Sequence, residues 1–410
     1  MSTQIFNLPE QVRFIIDRLA KRGYRADVVG GPVRDMLLGK VPYDYDITTS
    51  ARPEEIKSVF SDFRTVDTGI KHGTVTLVID KVGYEITTYR IDGEYLDSRH
   101  PRSVSFTKEL SEDLARRDFT MNAIAYSDSH GITDLYGGRE DIENRAIRAV
   151  GDPDLRFTED ALRILRGIRF SSCLDFDVEE KTESAIRRNA HLLTRVSVER
   201  VYTEWFKMLS GSARYSVISN FADVISVFLP EIADNGNGNA KIILPDGESR
   251  DNASPLSLML SLFYLNAGER YAAAYKSAMT RLHTDSFTRD IGTLALTVVG
   301  NGDTATAVGI GKLMMDLGRE AVGLAIDTEI LLGIRSSSSR QILDMLIEKR
   351  APYRTSDLDI NGNDLIDLGY EGAKIGKVMR MLLTEVIEQK IENSRKILIK
   401  RAEELFGLIY

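Results

Sequence analysis

The N-terminal part of the chain alternates between helical and strand-like hydrophobic patterns. Over residues 9–22, apolar side chains recur at steps of three and four, which predicts an amphipathic helix. A short β-type run, Ala26–Val29, ends in the glycine pair Gly30 and Gly31. Residues 33–38 then return to helical spacing. The pattern therefore predicts a helix, a strand, a glycine turn and a second helix in that order.

The next segments add further strands to the same region. Residues 43–48 are predicted as a second strand, and residues 50–60 as a helix that begins at a proline with acidic residues in its first turn. Two β-type runs, 73–79 and 83–89, are separated by a turn over residues 80–82. Together these elements predict an α+β domain built on a small mixed or antiparallel sheet.

The pattern changes after about Gly151, where strand-like periodicity mostly disappears and helices are predicted throughout. Residues 234–254 are rich in Asn, Gly and Asp, which is typical of a long loop between two helical bodies. Residues 372–408 alternate acidic and basic side chains, which predicts one long helix or a helix pair. We expect three domains, at residues 1–150, 151–235 and 236–410, the first α+β and the others all-α.

Composition excludes several classes of protein. The 53 Lys and Arg against 61 Asp and Glu leave a formal charge of −8, which argues against a protein that coats nucleic acid through bulk positive charge. The single cysteine, Cys173, and five scattered histidines give no disulfide and no zinc spacing. The uncharged run 252–268 is too short to span a bilayer, and no targeting segment is visible. We expect a cytoplasmic protein without membrane association, and its oligomeric state stays open.

The stretch from Gly30 to Thr49 offers the clearest chemistry. Asp44 and Asp46 stand one residue apart on a predicted strand, so both carboxylates project to one face and form a natural ligand pair for Mg²⁺. Such a pair alone is more often an ordinary surface feature. The upstream Gly30 and Gly31 allow backbone N–H groups to approach a phosphate, and Arg34 offers a guanidinium fork. The combination favours nucleotidyl transfer.

This window resembles the signature of polymerase-beta-like nucleotidyltransferases, specifically the class II tRNA nucleotidyltransferases (CCA-adding enzymes) and the bacterial poly(A) polymerases. Four further motifs of that family follow in order, in RRDFTMNAIAY (116–126), GITDLYGG (131–138), EDALRILRGIRF (159–170) and SVERVYTEW (197–205). The second half of the chain is similar only in size and helical character. The resemblance implies a nucleotidyltransferase head followed by a helical neck that recognises the base, and a helical body and tail that bind tRNA.

The resemblance also implies an activity and roles for individual residues. The expected reaction is template-independent addition of CCA to the tRNA 3′ end from CTP and ATP, with pyrophosphate released by a two-metal mechanism. Asp44 and Asp46 are expected to hold Mg²⁺, and Glu85 is either an additional catalytic carboxylate or an exposed strand residue. Arg117 and Asn122 are expected to contact the nucleotide. Asp118 either orients Arg117 or approaches the metals, and both interpretations stay open.

The motif EDALRILRGIRF predicts how a base is selected. On one continuous helix, Asp160 and Arg163 lie about 60° apart on one edge, where a flat group can reach both. A carboxylate acceptor beside a guanidinium donor matches the Watson–Crick edge of cytosine or adenine and meets a carbonyl on guanine or uracil. The resemblance implies that this pair replaces a nucleic-acid template. The alternative is an ordinary ion pair within the helix.

Other arginines suggest a local basic track inside the acidic chain. Arg166 and Arg169 continue the line of Arg163 and are expected to bind the triphosphate or the primer end. Further basic residues follow at Arg187, Arg188, Arg195 and Arg200. Such a track predicts modest, salt-sensitive binding of a tRNA end.

Alternative functions stay open at this point. The polar stretch 91–106, with His100 where the family more often has Arg, resembles the flexible loop of enzymes that add the terminal A. An enzyme that adds only A is the first alternative. A poly(A) polymerase is less favoured because the chain from Arg340 onward has equal numbers of acidic and basic residues. A catalytically silent RNA-binding protein is the remote alternative.

Overall fold

The computed structural model describes residues 6–67, 69–93, 104–233, 240–247 and 250–409. The chain divides into two compact units, Met1–Phe228 and Leu229–Tyr410. Most of the predicted loop at 91–106, including His100, lies outside the described residues, as does much of the predicted linker at 234–254. The expected functions of the three predicted domains stay predictions.

In the described part of the first unit, seven strands form one mixed sheet in the order β3-β4-β5-β2-β1-β8-β9. Strand β2 is parallel to β5, and the other neighbours are antiparallel. The α+β head with a small mixed sheet is therefore confirmed. The strands are β1 Ala26–Val29, β2 Ile47–Thr49, β3 Arg64–Val66, β4 Thr74–Ile79, β5 Val82–Thr88, β6 Arg90–Asp92, β7 Val104–Phe106, β8 Ile124–Ser127, β9 Gly131–Asp134, β10 Ala146–Ile147 and β11 Asp177–Val178.

The hairpin predicted from the β-type runs 73–79 and 83–89 is present as β4 and β5. Asp80 and Lys81 connect the two strands with positive φ angles of 50° and 68°. Two central residues with φ > 0 are typical of the tight turns whose twist matches that of the flanking strands. This turn fixes the register in which Thr76 lies opposite Glu85.

Helices surround this sheet and then replace it along the chain. The helices of the first unit are α1 Glu10–Ala20, α2 Gly31–Leu37, α3 Pro53–Val59, α4 Leu110–Ala115, α5 Gly138–Glu143, α6 Pro153–Glu159, α7 Leu162–Leu174, α8 Glu180–Asn189, α9 Val198–Met208, α10 Arg214–Asn220 and α11 Ala222–Ile225. Helix α7 packs against α9 and α10. The buried Trp205 of α9 meets Phe228 edge to face, with ring centroids 5.8 Å apart.

The second unit is helical across its described residues. Its helices are α12 Pro255–Asn266, α13 Tyr271–Arg281, α14 Gly292–Val298, α15 Ala307–Leu317, α16 Arg319–Leu331, α17 Ser337–Glu348, α18 Gly362–Asp367, α19 Ala373–Ile387 and α20 Arg395–Ile409. The apolar α12 packs on α16, α13 and α14, as expected for a buried helix. The charged C-terminal stretch forms the helix pair α19 and α20. No helix within the described residues combines the length and apolarity needed to cross a bilayer.

One buried carboxylate supports the sheet close to its centre. Asp27 of β1 is fully buried. It accepts hydrogen bonds from Arg25 Nε at 2.8 Å, from Ser127 Oγ at 2.8 Å and from Tyr89 hydroxyl at 3.1 Å. Each donor comes from a different sequence region, so this one acceptor links β1 to β8 and to the residue that follows β5.

We expect Asp27→Ala to lower the free energy of unfolding of the first unit by about 2–4 kcal/mol, because three donors lose a buried acceptor. Urea titration followed by tryptophan fluorescence measures this, since Trp205 is the single tryptophan of the chain. Asp67→Ala is the control, because Asp67 forms an exposed ion pair with Lys57. Equal losses in the two variants would contradict the prediction.

Candidate active site

The two predicted metal ligands lie just before a strand and not on it. The strand predicted over residues 43–48 is present but starts later, because β2 covers Ile47–Thr49. The backbone is nevertheless held at this point, since Val29 N–H donates to the carbonyl oxygen of Asp46 at 3.0 Å. Asp44 and Asp46 are both exposed. The segment that bears them therefore extends the line of β2 beside the end of β1.

Glu85 is brought next to Asp46 by strand register. In the parallel pair of β2 and β5, Ile47 lies opposite Ile86, so the preceding residues Asp46 and Glu85 are neighbours. The pKa of Asp46 is raised, first by partial withdrawal from water and then by the charges of Asp44 and Glu85. Arg117 acts in the opposite direction. Three carboxylates thus share one edge of the sheet and repel one another.

These carboxylates have the right chemistry for a divalent cation. Hard cations such as Mg²⁺ prefer carboxylate oxygens and are usually held by one or two of them together with water and substrate phosphates. Within the residues that the structure describes, no three acidic, His or Cys side chains converge as a complete metal site. The metal-binding role of Asp44 and Asp46 therefore stays a prediction.

The glycine turn is required by a close approach of an arginine. Gly30 has a φ of 82° and precedes α2, which begins at Gly31. A Cβ atom added at Gly30 would lie 2.8 Å from Nη1 of Arg117. Any residue other than glycine would be strained at this φ, and its side chain would displace the guanidinium of Arg117. The turn therefore keeps Arg117 against the start of α2.

Two predicted nucleotide contacts, Arg34 and Asn122, bind each other. Arg34 is buried, and its Nη1 donates to Asn122 Oδ1 at 2.9 Å while its Nη2 donates to Asp35 at 2.7 Å. The backbone oxygen of Asn122 also accepts a hydrogen bond from Arg117 Nη1 at 3.4 Å. Asn122 is thus a junction between two arginines. The fork predicted for phosphate at Arg34 is engaged with protein acceptors.

Asp118 has a partner that neither sequence interpretation named. Its carboxylate accepts from Arg166 Nε at 2.8 Å and from Asn122 Nδ2 at 3.3 Å. Burial alone would raise its pKa, but Arg166, Arg163 and Asn122 together lower the pKa to about 2. Arg117 is held instead by Asp113, at 3.4 Å, and burial lowers the pKa of Arg117.

The predicted base-reading pair does not lie on one continuous helix. The helical geometry assumed for Asp160 is wrong, because this residue has φ −137° and separates α6 from α7. Its Oδ1 accepts the backbone N–H of Leu162 at 3.1 Å, so the carboxylate stabilises the start of α7. Its Oδ2 accepts from Arg200 at 3.1 Å. The alternative of an Asp160–Arg163 ion pair is not what forms.

Arg163 donates to acceptors other than Asp160. Its Nη1 donates to Glu159 at 2.7 Å, and its Nη2 donates to the backbone oxygen of Arg116 at 2.9 Å. Asp160 and Arg163 therefore have separate partners in this structure. Each side chain also keeps hydrogen-bonding capacity that these partners do not use.

The remaining arginines of the predicted basic track are also paired. Arg169 contacts Glu204 at 2.6 Å and lies 3.9 Å from the Phe170 ring centroid. Arg34 and Arg166 lie 5.3 and 5.4 Å from the same ring. Carboxylate partners are also present for Arg187, Arg188 and Arg200. These arginines therefore have acidic partners, and the basic track for a tRNA end stays a prediction.

Sequence reasoning missed the residues that hold the predicted ones. Glu159, Phe170 and Glu204 lie inside the recognised motifs, so their positions were available but their partners were not. Asp113 lies four residues before Arg117, a spacing that brings helical side chains together. That spacing was the one available signal for it.

Two family models match parts of this chain. A family model described as "Poly A polymerase head domain" matches residues 26–148, and one described as "Probable RNA and SrmB- binding site of polymerase A" matches residues 175–234. The CCA-adding enzyme of Enterococcus faecalis is 34% identical over 98% of this chain and 97% of its own. That of Geobacillus thermodenitrificans is 48% identical over 55% of this chain and 56% of its own.

Solved structures give the same result. The crystal structure of the Bacillus stearothermophilus CCA-adding enzyme in complex with CTP aligns with a TM-score of 0.83 at 30% identity, over 98% of this chain and 99% of that one. The Thermotoga maritima CCA-adding enzyme complexed with tRNA_CCA aligns with a TM-score of 0.65 at 21% identity, over 97% and 96%. The latter likeness concerns the fold.

The ion pair of Asp118 gives a prediction about stability and pH. Because the folded-state pKa is lowered to about 2, the pair stabilises the fold above the unfolded-state pKa near 4, and this contribution is lost as pH falls toward 2. We expect Asp118→Asn to cost about 2 kcal/mol at pH 7. Urea titrations at pH 7, 5, 4 and 3 should show the difference from wild type shrinking below pH 4. A difference that is constant with pH would contradict this origin.

Proposed function

The chain belongs to the family of CCA-adding enzymes, and on this premise we propose that it adds C, C and A to the 3′ end of tRNA without a nucleic-acid template. CTP and ATP are the proposed substrates, and pyrophosphate is the proposed leaving group. The observation that carries the proposal is the placement of Asp44, Asp46 and Glu85 at one sheet edge, with Arg117 beside them. Nucleotidyl transfer needs a binding site for a metal cation next to a positively charged side chain that binds phosphate.

We assign the carboxylates to metal binding and activation of the primer. Asp44 and Asp46 would hold Mg²⁺, with Glu85 as the third carboxylate on the neighbouring strand. When bound, the metal would lower the pKa of the attacking 3′-hydroxyl and neutralise charge on the triphosphate. The charges of Asp44 and Glu85, which add to burial in raising the pKa of Asp46, support this assignment, because a cation would relieve their repulsion.

The arginines are proposed to bind the triphosphate by exchanging partners. Arg117 makes two long hydrogen bonds, each of 3.4 Å, one to Asp113 and one to the backbone oxygen of Asn122. Because these bonds are long, a phosphate can compete for Arg117. Arg34 has two shorter bonds to Asp35 and is better placed to orient Asn122 than to leave it. We therefore propose Arg117 as the direct phosphate ligand and Arg34 as its support.

Base selection is assigned to Asp160 and Arg163. An ionised carboxylate accepts from the amino group of cytosine or adenine and repels the carbonyl of uracil or guanine. The Leu162 N–H and Arg200 bonds fix the orientation of Asp160 before a nucleotide arrives.

The cytoplasm is the proposed compartment, in agreement with the free thiol of Cys173.

Activity on defined tRNA ends tests the proposed reaction. With Mg²⁺, CTP and ATP, we expect a tRNA lacking CCA to gain three nucleotides and then stop, as resolved on a sequencing gel. CTP alone should add two nucleotides. Asp44→Ala should reduce incorporation at least 10³-fold while tRNA binding is retained, because only the metal site changes. Homopolymeric A tails would instead indicate a poly(A) polymerase. Addition of A only to a tRNA that already ends in CC would indicate an A-adding enzyme.

Asp160→Asn tests base selection. The amide retains one acceptor for the Leu162 N–H but adds a donor, which can face the carbonyl of uracil. We expect the ratio of UMP to CMP incorporation, measured as kcat/KM, to rise about tenfold or more. Glu183→Gln is the control, since Glu183 pairs with Arg187 on α8. An unchanged ratio in Asp160→Asn would exclude Asp160 from base recognition.

A further inference from the structure

Two large apolar side chains next to the carboxylates are almost completely exposed. Val41 has 92% and Tyr43 has 101% of the reference accessible area, whereas Ile243 is next among the described large apolar residues at 60%. Single exposed apolar residues are common on protein surfaces. Two such residues that flank one proline, directly before Asp44, are not scattered. We call Val41 and Tyr43 the exposed pair.

The segment that presents the exposed pair is held in place at several points. Lys40 N–H donates to the Asp35 carbonyl oxygen at 2.8 Å, and Pro42 between the two residues is buried. After the pair, the backbone of Asp46 accepts from Val29. Proline also restricts the conformation of the residue before it. The backbone on both sides of Val41 and Tyr43 is therefore restrained, so the local fold presents both side chains to solvent.

The charge around this segment favours an uncharged contact with the RNA. Asp44, Asp46 and Glu85 repel the phosphates of an incoming strand, although the 3′-hydroxyl must reach this edge for the proposed reaction. A nucleobase carries no charge and stacks on an aromatic face with useful affinity. An aromatic side chain beside the carboxylates can thus hold the end of the strand where ionic attraction does not.

We propose that the exposed pair is the platform for the 3′-terminal base of the RNA primer, with Tyr43 stacking on the base and Val41 contacting its edge or sugar. The partner is a single-stranded RNA 3′ end whose last base is unpaired. The inference rests on the proposed function, because that function requires the primer hydroxyl at Asp44 and Asp46. It makes Tyr43 a positioning residue for the primer, separate from the arginines that bind the triphosphate.

Two measurements test the proposal with the full-length protein. Fluorescence anisotropy gives the affinity for tRNA lacking CCA, and initial rates give the KM for tRNA and for CTP. Tyr43→Ala should weaken tRNA binding about tenfold and raise the KM for tRNA by the same factor, with the KM for CTP unchanged. Tyr43→Phe, which keeps the ring, should match wild type. Val82→Ala is the control for Val41→Ala, since Val82 is exposed at the start of β5, next to the β4–β5 turn.

A substrate change separates stacking from a general loss of affinity. A tRNA whose 3′-terminal nucleotide lacks its base should bind wild type about tenfold more weakly and should bind Tyr43→Ala no more weakly than the normal substrate does. Additive losses would overturn the proposal, as would a Tyr43→Ala affinity within twofold of wild type or a Tyr43→Phe variant as weak as Tyr43→Ala. The binding data do not depend on turnover, so absence of CMP incorporation by wild type would reject the proposed function separately.

Discussion

The ion pair between Asp118 and Arg166 is the interaction on which the geometry of the site depends. It joins the segment after α4 to helix α7, and the Asp118 side chain is only 10% exposed whereas that of Arg166 is 35% exposed. Removing Arg166 would leave a charge on Asp118 that is expensive to bury, so the two segments stay together. Asn122 links the same carboxylate to Arg34, which brings the glycine turn into the network. The position of α7 relative to the sheet edge is thus set by charge pairing as well as by packing.

The charges of the first unit are satisfied unequally, and this difference has chemical meaning. The arginines near α7 have carboxylate partners at close distance, including Asp118, Glu159 and Glu204. The carboxylates beside the start of β2 instead have acidic neighbours, and burial together with these neighbours raises the pKa of Asp46. For the proposed function, these carboxylates would accept a cation, whereas the arginines would exchange one anion for another. An acidic chain can bind an anionic substrate in this way without a bare basic surface.

Much of the fold followed from patterns that are local in sequence. The β4–β5 hairpin, the buried α12 and the C-terminal helix pair each result from hydrophobic spacing and turn residues within about 40 positions. The failures have a common cause. Residues 43–48 read as a strand, but the ladder begins only at Ile47, and α7 begins only after Asp160, because tertiary partners set both boundaries. Partners such as Asp118 with Arg166 are 48 positions apart, and no local pattern predicts them.

The choice of a carboxylate at position 160 has a physical advantage for a template made of protein. Both oxygens of an ionised carboxylate are acceptors, so rotation of the side chain cannot present a donor to the wrong base. An amide would present either a donor or an acceptor and would need additional contacts to fix its orientation. In this chain the Leu162 N–H donates to Oδ1 of Asp160 and Arg200 donates to Oδ2, so two donors fix the plane of the carboxylate. These hydrogen bonds thus support, for the proposed function, the orientation on which rejection of uracil and guanine depends.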